Sequence, residues 1–228
     1  TLNGKPYRHP MPAEQPTAIL ADTIDYYSRK ITAFGAAPQG VDWNGEESQL
    51  RRFAQLTQLI DPASGTLNDW GCGYGALLDY LRRHRPGIDY HGIDVAAPMI
   101  DAAYRAHPQS TPDTFVVADR PTRVADYSIA SGIFNVRLQH RPDEWLNYLH
   151  ATLHLLDAYS RRGFAFNCLT AYSDPERMRA DLYYADPGAL FDYCMRHFSR
   201  HVALRHDYPL YEFSIIVRKP CPLQMTGQ

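Results

Sequence analysis

The chain has 228 residues, with 23 lysines and arginines against 25 aspartates and glutamates, which gives a formal charge of −2. This balance excludes a protein that gains its affinity by neutralising nucleic-acid phosphates. The fractions of hydrophobic (45%) and charged (21%) residues are typical of a folded globular chain. Sixteen tyrosines stand out, because rings with an apolar body and a polar tip suit the walls of ligand pockets.

The first part of the chain predicts an extended arm followed by two helices. Residues 1–16 contain four prolines and no periodicity, so they predict neither helix nor strand. Apolar residues recur at helical spacing over residues 17–34, and a second helical pattern extends to residue 60. We therefore predict that residues 1–62 form an N-terminal arm and a helical lid.

From residue 63 onwards, short apolar runs alternate with segments of helical period. Such alternation predicts parallel strands joined by right-handed crossovers. A short turn at Tyr208-Pro209 separates the last two strands, so the last strand is expected to run antiparallel. We predict one α/β domain over residues 63–228, with helices on both faces of its sheet. The predicted strands cover residues 66–70, 88–94, 114–118, 127–131, 163–169, 201–206 and 212–218.

The sequence offers no candidate for a membrane span, and a disulfide framework is the weaker interpretation of its cysteines. No run approaches the roughly 20 apolar residues that a bilayer requires, and residues 1–12 lack the apolar core of a signal peptide. Cys72, Cys168, Cys194 and Cys221 form no CxxC pair, and we interpret them as reduced thiols. We expect a cytoplasmic protein without a membrane partner.

The most informative segment is DWGCGYG, residues 69–75, which follows a predicted strand and precedes a helix. Glycines at such a turn let the backbone approach a ligand closely. The glycines fall in the pattern GxGxG, and Asp69 stands two residues before the first of them. In turns that bind NAD the third glycine falls one residue later and no preceding acid is required, so this turn favours another nucleotide-like ligand.

Two further acids repeat at the ends of the next two predicted strands. Asp94 stands 25 residues after Asp69, and Asp119 stands another 25 residues on. Asp94 can accept hydrogen bonds from both hydroxyls of a ribose, and Asp119 can accept one from an adenine amino group. Because open α/β sheets bind ligands at the carboxyl ends of their strands, we expect the three carboxylates along one edge.

With these motifs, the chain from about residue 66 to residue 218 resembles the class I S-adenosylmethionine-dependent methyltransferases. The resemblance implies a Rossmann-like seven-stranded sheet, mostly parallel with an antiparallel last strand, preceded by the helical lid. It also implies S-adenosylmethionine as cofactor and S-adenosylhomocysteine as product.

The resemblance assigns the amino-acid end of the cofactor to the glycine turn. Gly71, Cys72 and Gly73 would cradle it, and Asp69 would bind its amino group, partly through water. Gly132, after the fourth strand, would lie where the methyl donor meets the acceptor.

The nucleoside end is assigned in the same way to the next two strands. Asp94 would bind the ribose, and Val95 would pack on the adenine. Asp119 would bind the adenine amino group, together with the backbone amide of Arg120.

The segment before the sheet resembles the lid of small bacterial members of this family. By that resemblance, Tyr27, Trp43 and Arg52 close over the cofactor, and the forked guanidinium group of Arg52 pairs with the cofactor's carboxylate. In the alternative interpretation, Arg52 is a surface residue of a helix.

The acceptor pocket is expected in the insertion over residues 170–188, where this family often builds it. Tyrosines there either line the pocket or pack the insertion onto the sheet. The fourth strand leads into SGIFN, which departs from the Asp- or Asn-Pro-Pro-aromatic run of enzymes that methylate nucleobase amines. The candidate substrate-binding residues are Phe134, Asn135, Tyr172, Tyr183 and Tyr184.

No spacing identifies a catalytic base. The candidates are His140, His206, Tyr172 and Asp207, and the catalytic residue is therefore left open. His150 and His154 stand four apart on a predicted helix, a spacing that permits a shared metal. No further ligand lies near them in the sequence, so we interpret them as a solvated helix face and expect no metal.

These observations favour a methyltransferase that acts on an oxygen or nitrogen atom of a small metabolite, without a nucleic-acid partner. Two alternatives stay open: an NAD(P)-dependent oxidoreductase, and a protein of the same fold that binds S-adenosylmethionine without catalysis. The sequence leaves the oligomeric state open between a monomer and a homodimer.

Overall fold

The computed structural model describes residues 17–43, 45–61 and 64–220. The predicted arm over residues 1–16, the predicted domain boundary at residues 62–63, and Cys221 lie outside these ranges. None of the helices in the described ranges combines the length and the apolar character that a bilayer span requires. Cys72, Cys168 and Cys194 are buried free thiols.

The described ranges alternate between helices and strands after an all-helical start. The helices are α1 (Thr17–Phe34), α2 (Glu46–Leu56), α3 (Ala76–His84), α4 (Ala97–Ala106), α5 (Pro142–Ala158) and α6 (Pro187–His197). The strands are β1 (Gly65–Trp70), β2 (Ile88–Asp94), β3 (Phe115–Val117), β4 (Ala125–Ala130), β5 (Ser160–Thr170), β6 (Tyr184–Ala185), β7 (His201–Arg205) and β8 (Glu212–Arg218). We call α1, residues 35–43 and α2 the lid, and residues 35–43 the lid loop.

The strands form one mixed sheet in the order β3-β2-β1-β4-β5-β8-β7. All neighbouring pairs from β3 to β5 are parallel, whereas β8 runs antiparallel to both β5 and β7. The seven-stranded path and the antiparallel last strand confirm the prediction. The two-residue β6 was not predicted; it pairs with the end of β5 and ties the insertion to the sheet.

Helices cover both faces of the sheet and bury two large apolar cores. One core joins α5 and α6 to the sheet around Trp145 and Phe164, and it also takes in Ile19 of α1. The other joins α2, α3 and α4 to the opposite face, with Phe53 and Leu67 fully or almost fully buried. Ile19 of α1 and Phe53 of α2 belong to different cores, and Ile31 of α1 also packs against Met99 and Ala102 of α4.

Local signals explain where the helices of the second half begin. Pro142 stands in the first turn of α5, where its missing amide hydrogen costs nothing. The Asp186 side chain caps α6, because its Oδ1 accepts hydrogen bonds from the amides of Gly188 and Ala189 at 2.8 and 3.1 Å. These signals mark the residues at which the two helices begin.

Candidate active site

A tight glycine turn joins β1 to α3 at the carboxyl edge of the sheet. Gly71, Gly73 and Gly75 have φ angles of 75°, 55° and 85°, which glycine adopts without steric strain. The amides of Gly71 and Cys72 donate to the Ile93 carbonyl at 2.7 and 3.0 Å, so the turn is tied to the end of β2. The turn thereby forms one wall of a cavity.

Asp69 lies in β1 one residue before its end, and its carboxyl group is buried at this cavity. The Tyr90 hydroxyl donates a hydrogen bond to its Oδ2 at 2.7 Å. Burial raises the pKa of the Asp69 carboxyl to about 7, and the hydrogen bond from Tyr90 opposes this rise. A cation placed beside the carboxylate would offset the cost of its desolvation, so the position suits an ammonium group.

Asp94 ends β2 and faces the same cavity. Its Oδ2 accepts from the Gly73 amide and its Oδ1 from the Ala96 amide, both at 2.9 Å. Burial raises the pKa of this carboxyl to about 6, and the backbone amides oppose the rise. Each carboxylate oxygen has more than one lone pair, so Asp94 can also accept from two neighbouring hydroxyls of a ligand.

Asp119 follows β3 at the outer part of the cavity. Arg120 Nη2 contacts Asp119 Oδ2 at 3.0 Å, and both side chains are 43% exposed. The hydrogen bond from Arg120 lowers the pKa of the Asp119 carboxyl. Asp119 lines the cavity, whereas the Arg120 side chain lies against Asp119 and does not line the cavity.

The cavity contains about 900 Å³ of empty space, including its open mouth. Its floor is the glycine turn and the three carboxylates, together with Val95, Met99 and the turn after β4. Its roof is the lid. The lid residues that line it are Leu20, Thr23, Tyr27, Val41, Trp43, Gln49 and Phe53, and Tyr148 of α5 closes one side.

The lid loop lies directly on two glycines of the floor. A Cβ atom at Gly73 would come within 2.8 Å of Val41 Cγ1, and one at Gly132 would overlap the Trp43 ring. Gly132 also has a φ angle of 82°. The missing side chains at these glycines therefore allow the lid loop to approach the turns after β1 and β4.

Asp42 holds the lid loop in this position. Its φ angle of 61° lies in the left-handed region, which is uncommon for a residue other than glycine. Its carboxylate accepts from the Tyr26 hydroxyl at 2.9 Å and pairs with Lys30 at 2.6 Å, while Arg179 of the insertion approaches to 3.9 Å. These contacts join α1, the lid loop and the insertion at one point beside Trp43.

Arg52 does not reach the cavity, and so the structure does not match its predicted pairing with a cofactor carboxylate. Its Nε donates to Glu212 Oε2 at 2.8 Å, and its guanidinium carbon lies 3.7 Å from the centre of the Trp43 ring. The alternative of a surface residue is also wrong, because Arg52 is only 6% exposed. Tyr27 and Trp43, the other two predicted lid residues, both line the cavity.

The structure does not bring the predicted acceptor residues of the fourth-strand segment to the cavity. The Phe134 ring is fully buried and packs edge-on against Phe166, so it offers no surface to a ligand in this arrangement. Asn135 accepts from the Leu169 amide at 3.2 Å and is buried. Both residues hold the turn after β4 onto β5.

The tyrosines of the insertion also lie away from the cavity. Tyr172 is 74% exposed. Tyr183 packs against the core beneath α6, and the Tyr184 hydroxyl accepts from the Arg179 amide at 2.9 Å. Of the two interpretations, the structure therefore matches packing of the insertion for Tyr183 and Tyr184.

The candidate bases are likewise absent from the cavity wall. His140 Nε2 lies 3.0 Å from Asp22 Oδ2 of α1. His206 is exposed beside Tyr172, and Asp207 pairs with Arg205 at 3.0 Å. Since these groups contact other side chains outside the cavity, the described structure does not support them as bases.

His150 and His154 are both half-buried and face Tyr193 of α6, so the predicted solvated helix face is wrong. The His150 ring stacks on the Tyr193 ring at 3.8 Å, and His154 Nε2 lies 3.0 Å from the Tyr193 hydroxyl. Among residues 17–43, 45–61 and 64–220, no cluster of three or more histidine, cysteine or acidic side chains could hold a metal ion.

Sequence reasoning missed several residues of the cavity wall, among them Leu20, Thr23 and Tyr148. Leu20, Thr23 and Tyr27 fall on one face of α1, at spacings of three and four. That periodicity was visible in the sequence. It could not distinguish a face that packs on the protein from one that covers a ligand.

Comparisons with known proteins agree on the class. A methyltransferase domain family matches residues 69–154. The provisionally named methyltransferase Rv1506c of Mycobacterium tuberculosis is 56% identical over 165 residues, which span 72% of this chain and 98% of that protein.

Two solved structures share the fold at low identity. Magnesium protoporphyrin IX methyltransferase from Synechocystis PCC 6803, with bound S-adenosylhomocysteine, aligns with a TM-score of 0.61 at 14% identity. The alignment covers 88% of this chain and 99% of that one. The N-methyltransferase NodS from Bradyrhizobium japonicum WM9 aligns with a TM-score of 0.60 at 14% identity, over 87% of this chain and 98% of that one.

The sheet order and the acids beside the glycine turn define a class I methyltransferase architecture. Together with the 56% identity to the mycobacterial protein, this architecture shows that the chain belongs to the class I S-adenosylmethionine-dependent methyltransferases.

Proposed function

We propose that the protein transfers a methyl group from S-adenosylmethionine to an oxygen or nitrogen atom of a small, uncharged or weakly charged metabolite held under the lid. One observation carries this proposal. The charged side chains of the cavity wall are the three carboxylates of its floor, whereas the described side chains of the lid are uncharged: apolar, aromatic, hydroxyl or amide. The cavity therefore has a polar half that suits the cofactor and an uncharged half that suits an acceptor.

The floor residues fit the parts of the cofactor. The buried Asp69 carboxylate would bind its ammonium group, and Asp94 would accept from the ribose hydroxyls. Val95 and Asp119, which also line the cavity, would contact the adenine. The turn glycines leave room for the amino-acid end.

When bound, S-adenosylmethionine supplies a methyl group on a sulfonium and a neutral thioether as leaving group. The chain's own residues then contribute positioning and the exclusion of water. Trp43 lies against Gly132, and Tyr148 lines the same cavity.

The lid side has no carboxylate, imidazole or amine in the described ranges that could remove a proton from the acceptor. Burial raises the pKa of Tyr148 to about 12 and also raises that of Tyr27, so both hydroxyls stay protonated at neutral pH. They can donate hydrogen bonds to an acceptor but cannot act as ready bases. The wall therefore favours an acceptor that needs no base, such as a neutral amine or an oxygen acid that is already ionised.

Calorimetric titration tests the cofactor half of the proposal. We expect S-adenosylhomocysteine to bind and NADH not to bind. Asp94→Ala should weaken S-adenosylhomocysteine binding about 10- to 100-fold, because the variant lacks hydrogen bonds to a charged group. Asp89→Ala is the matched control, since this carboxylate lies on the same strand but is exposed and pairs with Arg123. Binding of NADH alone would reject the proposal.

Incubation with a metabolite extract and a methyl-labelled donor tests the acceptor half. We expect the label in a small molecule and lost signal in Asp94→Ala. A protein that binds S-adenosylhomocysteine but labels nothing in any extract would instead be the non-catalytic binder.

A further inference from the structure

A closed ring of contacts connects the lid with the turn after β4. Glu212 Oε2 accepts from Arg52 Nε at 2.8 Å and from Asn167 Nδ2 at 3.0 Å. Asn167 Oδ1 in turn accepts from the Gly132 amide at 2.9 Å. The Arg52 guanidinium stacks on Trp43, and the Trp43 ring rests against Gly132, which completes the ring.

The two charges of this ring are buried deeply. Glu212 is fully buried and Arg52 is 6% exposed. Glu212 Oε1 and Arg52 Nη1 are also buried without a hydrogen-bond partner in the described structure. Because apolar residues of similar size usually stabilise a fold as well as a buried ion pair does, stability alone gives no reason for this pair.

A single carboxylate oxygen makes both connections. Through Arg52, Glu212 determines where the Trp43 ring lies on the lid side. Through Asn167, it determines where the Gly132 amide lies on the floor. Movement of either partner changes the hydrogen-bond geometry at the other, so the position of the lid and the shape of the turn are linked.

We propose that Arg52 and Glu212 are positioning residues that couple docking of the lid to the shape of the acceptor edge of the cavity. Neither side chain lines the cavity, so both act through Trp43 and Gly132, which do. This inference rests on the proposed function, because it assigns the edge around Gly132 to the meeting point of donor and acceptor.

The double variant Arg52→Met/Glu212→Gln tests the inference without leaving an unpaired buried charge. Methionine keeps much of the arginine volume, and glutamine keeps an acceptor for Asn167, so the fold should survive. The probes are S-adenosylhomocysteine affinity and acrylamide quenching of Trp43 fluorescence. Trp70 and Trp145 are 5% and 1% exposed and contribute a shielded background, which a Trp43→Phe variant measures separately.

We expect Trp43 to become accessible to acrylamide and S-adenosylhomocysteine to bind about tenfold more weakly. The affinity falls because only the fraction of molecules with a docked lid is competent to bind. Asp157→Asn is the matched control, since Asp157 forms a largely buried ion pair with Lys219 at the opposite edge of the sheet. It should lower the thermal midpoint without changing either probe.

Three results would contradict the coupling or the proposed function, and each can be distinguished from the others. If the folded double variant binds and shields Trp43 as the parent does, the coupling is refuted. If Asp157→Asn changes both probes equally, the effect is general destabilisation and the inference also fails. If the parent itself does not bind S-adenosylhomocysteine, the proposed function fails instead.

Discussion

The Tyr90 hydroxyl donates a 2.7 Å hydrogen bond to Asp69 Oδ2, and both side chains are buried between β1 and β2. Burial raises the pKa of Asp69 to about 7, so its carboxyl is partly protonated at neutral pH before a ligand arrives. The hydrogen bond from Tyr90 limits this rise, because it stabilises the ionised form. Binding of a cationic ammonium at Asp69 must therefore be linked to pH.

Tyr90→Phe should shift the pH dependence of S-adenosylhomocysteine binding. Without the hydroxyl, the pKa of Asp69 rises further, so the loss of S-adenosylhomocysteine affinity on acidification begins at a higher pH than in the parent. Titration calorimetry between pH 6 and pH 9 measures the shift. Tyr104→Phe is the matched control, because its hydroxyl donates to the Phe115 carbonyl at 2.8 Å and not to Asp69. Parallel affinity profiles for Tyr90→Phe and the parent would contradict this role of Tyr90.

Asp69→Asn should stabilise the ligand-free protein at high pH. The folded pKa of Asp69, about 7, lies above its unfolded value of about 3.9, so its stabilising contribution is complete below about pH 4 and is lost as pH rises through 7. Asparagine cannot ionise, so the variant keeps this contribution, which amounts to at most about 4 kcal/mol at pH 8.

Urea unfolding at pH 5 and pH 8 measures this difference in the free energy of unfolding. As pH rises, the free energy of unfolding of the variant should increase relative to that of the parent. Its affinity for S-adenosylhomocysteine should be lost. Asp101→Asn, which changes an exposed carboxylate on α4, should leave the pH dependence unaltered. An equal pH response in Asp69→Asn and the parent would mean that Asp69 ionises freely in the folded protein.

The floor of the cavity was predictable because its signals are local in the sequence. Asp69, Asp94 and Asp119 each stand within two residues of the end of a strand, and the rule that parallel strands end at one edge brings them together. The glycine turn is read from seven consecutive residues. Neither inference required knowledge of how distant segments pack.

The roof was not predictable in the same way, because its residues meet through tertiary packing. Arg52 has its partner Glu212 160 positions away in the sequence, and no local pattern marks that pairing. Tyr148 reaches the cavity from α5, a helix that otherwise packs into the core. The tyrosine-rich insertion attracted attention by composition, yet β6 and the Arg179 contacts hold it beside the lid rather than inside the cavity.

Gly132→Ala should dislodge the lid. Two costs act together: a residue with a side chain at a φ angle of 82° is strained by roughly 1–2 kcal/mol, and the new Cβ overlaps the Trp43 ring. The ring must move off the turn after β4, so we expect increased acrylamide quenching of Trp43 and a weaker affinity for S-adenosylhomocysteine.

Gly35→Ala separates the two costs, because Gly35 has a φ angle of 67° and no atom within 4 Å of the added Cβ. That control should lose about the same stability from backbone strain while Trp43 stays shielded. If both variants alter Trp43 to the same extent, backbone strain alone explains the result and contact between Trp43 and Gly132 does not hold the lid.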